Sequence, residues 1–98
     1  MAKLIYHSSA NKNKKNLLKN NPSLIGAIER LEYQMEKYPE RGVLEKIKID
    51  ALRSVSCRRL STYTNLYSDW DVFGNRQLSA LYIYNEENVR IIRLYFSG

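Results

Sequence analysis

The sequence has little of what staples or metallates a small domain. Its 98 residues include one cysteine, Cys57, and one histidine, His7. A lone cysteine cannot close an intramolecular disulfide, and no Cys/His spacing makes a zinc site. A reduced chain with neither metal nor cofactor is therefore expected. One histidine without a motif assembles no Ser/His/Asp set. The four glycines, Gly26, Gly42, Gly74 and Gly98, stand singly, which excludes a Gly-rich phosphate loop. There is no run of roughly 18 apolar residues, which argues against a membrane-spanning helix. The opening Met1-Ala2-Lys3-Leu4-Ile5-Tyr6-His7 lacks the long apolar core of a secretory leader. These absences lead us to expect a cytoplasmic location. No repeat or low-complexity linker divides the chain, so a single domain over 1–98 is expected.

What is present is a basic, tyrosine-rich globular composition. Apolar residues make up 44% and charged residues 27%, too balanced for wholesale disorder. The net charge of +6 is uneven. The first twenty residues hold Lys3, Lys12, Lys14, Lys15 and Lys19 and no acid. Every base after residue 50 is an arginine. Lysine attracts anions diffusely, whereas arginine forks onto a phosphate. Lys12, Lys14, Lys15 and Lys19 are therefore candidate nucleic-acid contacts. The same lysines would equally make an ordinary solvated face.

Lys3-Leu4-Ile5-Tyr6 reads as a first strand. Ser8 or Ser9 is suited to cap a helix over roughly 9–19. Asn11, Asn13 and Asn16 lower that helix's propensity, so it should be frayed or short. Asn21 and Pro22 suit the start of a second helix. In that helix Leu24, Ile28, Leu31, Met35 and Tyr38 form one apolar stripe, a core face, and Pro39 and Gly42 end it. Val43–Ile49 and Ser54–Leu60 are candidate strands. Residues 61–75 read as a long aromatic loop. Gln77–Tyr84 and Asn88–Phe96 are β-prone runs joined tightly at Asn85–Asn88. The order predicts an α+β fold: a short N-terminal strand, a two-helix hairpin, then an antiparallel sheet ending in a β-hairpin. The helices should cover one sheet face and leave the other at least partly open.

This layout resembles the RelE/ParE superfamily of bacterial toxin–antitoxin systems over nearly the whole chain. The residues that carry the resemblance are Leu4-Ile5-Tyr6, the helix end Leu31-Glu32-Tyr33-Gln34-Met35-Glu36-Lys37-Tyr38-Pro39, and the closing hairpin from Gly74-Asn75-Arg76 through Val89-Arg90-Ile91-Ile92-Arg93. It implies a RelE-like fold and a ribosome-associated mRNA endoribonuclease. It also implies a cognate antitoxin and RNA or the ribosome as partners. In such enzymes Lys, Arg and Tyr share the proton transfers and charge stabilisation that RNA cleavage requires. On that resemblance the candidate catalytic residues are Arg76, Arg93, Tyr95, Arg59 and Arg58.

Arg76 would clamp the scissile phosphate, or else pair with Asp69 or Asp71. Arg58 and Arg59 are adjacent on a strand and point to opposite faces, so only one can join that group. Arg93 and Tyr95 are two apart and share a face; Tyr95 would act as an acid, stack on a base, or simply pack in the sheet. The family's ribonucleases carry a basic residue after the last strand, where this chain has Phe96-Ser97-Gly98. ParE-like members share the layout and inhibit without cleaving RNA. A non-catalytic inhibitor, or a phage or plasmid protein-binding module, is thus the alternative. Tyr67, Trp70 and Phe73 are the candidate partner-binding residues, because aromatic anchors dominate protein interfaces; the alternative is that this loop folds back as a lid over the small core.

Overall fold

A computed structural model describes residues 3–48, 50–63 and 77–97, with the Ser97 side chain left aside. The chain is α+β, as its sequence predicts. In order it forms β1 (Lys3–Tyr6), α1 (Ser8–Asn20), α2 (Ile25–Lys37), β2 (Val43–Lys48), β3 (Ser54–Tyr63), β4 (Gln77–Tyr84) and β5 (Asn88–Ser97). Two short 3₁₀ turns, Pro22–Leu24 and Pro39–Arg41, lie before and after α2. The strands make one sheet ordered β1-β5-β4-β3-β2. Strands β2 to β5 pair antiparallel, and β1 returns to lie parallel to β5, with Leu4 opposite Val89 and Tyr6 opposite Ile91. The sheet is therefore mixed: the helices carry the chain from β1 at one edge to β2 at the other, and the strands then return one by one until β5 lies beside β1.

Both helices pack on one sheet face. Ala10, Leu24, Ala27, Ile28, Leu31 and Met35 meet Leu78, Ala80, Tyr82, Val89, Ile91 and Leu94 in one buried cluster. The predicted stripe of α2 is the core face, with Tyr38 half-buried at its end.

Four local expectations are corrected. The first helix is neither frayed nor short: it runs for 13 residues and buries Ala10, while Leu17 and Leu18 pack against the core. Tertiary packing overrides its poor propensity. Its cap is His7 rather than Ser8 or Ser9: His7 Nδ1 accepts from the Ser9 N–H at 3.4 Å and lies 3.0 Å from its hydroxyl. Pro22 opens the 3₁₀ turn instead of α2, and Asn21 makes no side-chain cap. Strand β3 also continues through Ser61, Thr62 and Tyr63, which the sequence suggested were loop.

The closing hairpin turns where expected. Asn85 Oδ1 accepts from the N–H groups of Glu87 and Asn88, each at 2.8 Å, and the Asn85 N–H donates to the Asn88 carbonyl. This Asx turn is built from a residue type that favours it. Among the described residues, no helix is long and apolar enough to cross a membrane.

Candidate functional site

The site lies on the sheet face turned away from the helices. Alternation along paired strands assigns residues to that face. One cross-strand row is Val43, Arg59, Leu81 and Arg93; the next is Ser61, Ser79 and Tyr95. Arg59 and Arg93 flank Leu81, two strand spacings apart, or about 10 Å between backbones.

A β-bulge shapes this face. Leu81 pairs with Arg93 while the next residue, Tyr82, pairs with Ile91, so Ile92 has no partner on β4. The extra residue changes the parity of β5. Without it, Arg90 and Arg93, three apart, would point to opposite faces. With it, Arg90, opposite Ile83, joins Arg93 and Tyr95 on the outer face, while Ile91 and Leu94 both stay in the core.

Electrostatic contacts hold several of these groups in place. The Arg93 guanidinium lies 5.3 Å from the Tyr95 ring centroid, a cation–π distance. Arg59 Nη1 pairs with Glu45 Oε1 at 3.1 Å. Ser61 and Ser79 share a hydroxyl hydrogen bond of 2.7 Å. Cys57, Ser79 and Leu81 are buried on this face. Burial pushes the Cys57 thiol above its ordinary value, with Glu45 adding to the shift, so the thiol is a packing group rather than a nucleophile.

Arg93 also lines a concavity. Its apolar part comes from Leu81, Ile92 and Ile47, and Lys48, Ser9 and Asn13 complete the rim. The Ser9 hydroxyl donates to the carbonyl of the bulged Ile92 at 3.3 Å, tying the start of α1 to the bulge. Arg93 on the outer face and Lys48, which has the strand parity of Leu44 and the helix side, both border this concavity beside hydroxyl and amide groups, a setting suited to an anion with an attached flat or apolar moiety.

The structure separates the predicted residues into four groups. Arg59, Arg93 and Tyr95 come together on the outer face. Arg58 lies on the helix side: its guanidinium donates to the carbonyls of Glu40 at 3.0 Å and Gly42 at 2.8 Å, and lies 5.6 Å from the Tyr84 ring. Lys12, Lys15 and Lys19 are exposed on α1, whereas Lys14 bonds Glu32 Oε2 at 3.1 Å and sits 4.8 Å from the Tyr6 ring. The Tyr6 hydroxyl donates to the same Glu32 oxygen at 2.7 Å, and burial, followed by Glu32, pushes its pKa far above the ordinary tyrosine value. Lys14 is therefore an interhelix strut. Arg76, Tyr67, Trp70 and Phe73 lie outside the described residues.

Sequence reasoning missed Arg90, Lys48, Ser9 and Asn13. The bulge that aligns Arg90 has no sequence marker. Lys48 reads locally as one of two edge-strand lysines. Only the fold brings it to Arg93, which lies 45 residues later in the chain. Among the described residues, no three His, Cys, Asp or Glu side chains form a group able to hold a metal. Comparisons with models of protein families, with curated proteins and with solved structures found no match to this chain.

Proposed function

We propose that the chain is a cytoplasmic RelE-like toxin whose outer sheet face binds RNA and cleaves it on the ribosome. The observation that supports this reading is the convergence of Arg93 and Lys48 on one concavity, with Tyr95 beside Arg93 and Arg59 across Leu81. In this reading Arg93 forks onto the phosphate at the cleavage point and Lys48 offsets the charge that builds there. Tyr95 stacks on a base or delivers a proton to the leaving 5′-oxygen. Glu45 fixes Arg59 as a second backbone contact. The exposed Lys12, Lys15 and Lys19 add long-range attraction, which makes binding strongly salt-dependent. Arg76 stays the family-derived phosphate clamp, and a cognate antitoxin is the protein partner.

One observation favours the non-catalytic alternative. Among the described residues, those lining the concavity include no His, Asp or Glu, and His7 is occupied in capping α1. Induced expression followed by mapping of mRNA 5′ ends decides between the readings. The ribonuclease reading expects new cleavage ends that disappear with Arg93→Ala and with Arg76→Lys but persist with Arg30→Lys. Growth arrest without new ends would assign the chain to the inhibitor class, and neither arrest nor ends would leave a binding module.

A further inference from the structure

We propose that the helix-side face of the sheet carries a site for one purine nucleotide, built around Arg58 and Tyr84. Leu44, Arg58 and Tyr82 form one cross-strand row on this face, and Lys46 pairs with Ser56 in the next. Tyr84, two residues after Tyr82, has the same parity. Leu44, Ser56, Arg58 and Tyr84 line a concavity of about 130 Å³ there, with Leu44 66% exposed at its wall. The Arg58 guanidinium is fixed but not used up. Its bonds to the carbonyls of Glu40 and Gly42 both come from Nη1, and among the described residues Nε and Nη2 have no hydrogen-bond partner. The Tyr84 ring backs the guanidinium at 5.6 Å, and the Tyr82 ring lies 6.3 Å from that of Tyr84. Lys46 and Ser56 are exposed, and Lys46 has no ion pair among the described residues.

Chemistry decides the occupant. The Nε–Nη2 edge of a guanidinium forks onto a phosphate, and holding that group in place beforehand lowers the cost of ordering it. Lys46 lies two residues from Leu44, about 7 Å along the strand, and adds a second positive charge. Beside the fork, an apolar side chain and an aromatic ring suit a flat base. The volume is far below the roughly 300–1,000 Å³ of sites that enclose a drug-sized molecule, so it takes one base. A purine covers more of the ring and of Leu44 than a pyrimidine does. Among the described residues, no Asp or Glu lines the concavity. An acidic peptide would satisfy the fork and leave Leu44 and the ring exposed. A free nucleotide and the end of an RNA chain both offer a purine with a terminal phosphate. The site faces away from Arg93 and Tyr95, so its occupancy does not depend on RNA cleavage.

The test titrates the full chain with AMP at low salt and follows amide and tyrosine ring signals by NMR. Adenosine, UMP and a Glu-rich peptide are the controls. AMP should shift Leu44, Ser56, Arg58 and Tyr84 and bind about tenfold or more tighter than adenosine, which lacks the forked phosphate. UMP should bind less tightly than AMP. Arg58→Lys keeps the charge without the fork, so AMP should lose most of its advantage over adenosine. Because Arg58 also ties down the Pro39–Gly42 turn, two variants away from that turn keep the test decisive. Tyr84→Leu should weaken AMP binding about fivefold or more through lost stacking, and Lys46→Gln by less. Tighter binding of a 5′-phosphorylated oligoadenylate than of AMP, at the same residues, identifies an RNA end as the source. Equal or weaker binding identifies the free nucleotide, and either result supports the site. No AMP binding at millimolar concentration, equal binding of AMP and adenosine or of AMP and the peptide, shifts confined to Arg93 and Tyr95, or unchanged affinity in Tyr84→Leu would overturn the proposal.

Discussion

The two faces of this sheet are made by the same strands and behave as different materials. On the helix side, Leu78, Ala80, Tyr82, Val89, Ile91 and Leu94 are buried against two helices. On the other side, the same β4 and β5 present Arg90, Arg93 and Tyr95 around the buried Leu81 and Ser79. Arginines show the contrast most sharply. Arg58 faces the helix side and spends its donors on the carbonyls of Glu40 and Gly42, whereas its neighbour Arg59 faces outward and pairs with Glu45. One arginine joins the Pro39–Gly42 turn to the sheet; the other is held ready at the surface. Residue type alone does not set an arginine's role; the face it occupies does.

The largest break in this contrast comes from the covered face. Leu31 has no solvent exposure, so Leu31→Ala should destabilise the fold by about 2–5 kcal/mol, read as the shift in a denaturant midpoint. A near-neutral result would remove α2 from the core. Gly42→Ala is next. A Cβ there would meet the Tyr82 hydroxyl and come within 2.8 Å of the Arg58 Cβ, so the cost should be about 1–3 kcal/mol by the same measurement. The outer face should respond in the opposite sense. Arg93→Ala should leave stability within about 0.5 kcal/mol of wild type while removing most RNA binding in a filter assay at low salt. A large stability loss would make Arg93 a structural residue.

The alkaline limb sharpens the comparison at the Tyr82 hydroxyl, which donates to the Pro39 carbonyl. Burial holds this group neutral and its pKa is pushed up to about 12. An unfolded tyrosine ionises near pH 10, so this stabilisation is complete below about pH 10 and fades as pH rises toward about 12. Tyr82→Phe has no proton to lose, and its melting temperature should fall less steeply than that of wild type across that interval. Parallel curves would show that other groups carry the alkaline limb. The smallest effect belongs to Lys14→Met. This removes a partly exposed ion pair with Glu32 and should cost less than about 1 kcal/mol, with RNA affinity unchanged. A marked loss of RNA affinity would return Lys14 to the binding surface.

Much of this architecture was readable in advance, for physical reasons. The stripe from Leu24 to Met35 has helical spacing, and spacing is a local property. Asn85 at a tight connection between two β-prone runs sets the hairpin. Arg93 and Tyr95, two apart on a strand, had to share a face. The cap at His7 and the full length of α1 were not readable, because serine is the commoner cap and asparagine weakens an isolated helix. Contacts with β5 and the core reverse both expectations.

The sequence by itself determined the order of helices and strands, the core stripe of α2, the last hairpin, and a positive charge drawn from lysine early and arginine late. These follow from periodicity, turn chemistry and composition, which act over a few residues. Only the tertiary structure decided that β1 joins β5 in parallel, that Lys48 and Arg93 line one concavity, and that Arg90 shares a face with Arg93. The last depends on one unpaired residue, Ile92. The parity of a strand is fixed by its partner's register, and no local pattern in β5 records where that register slips.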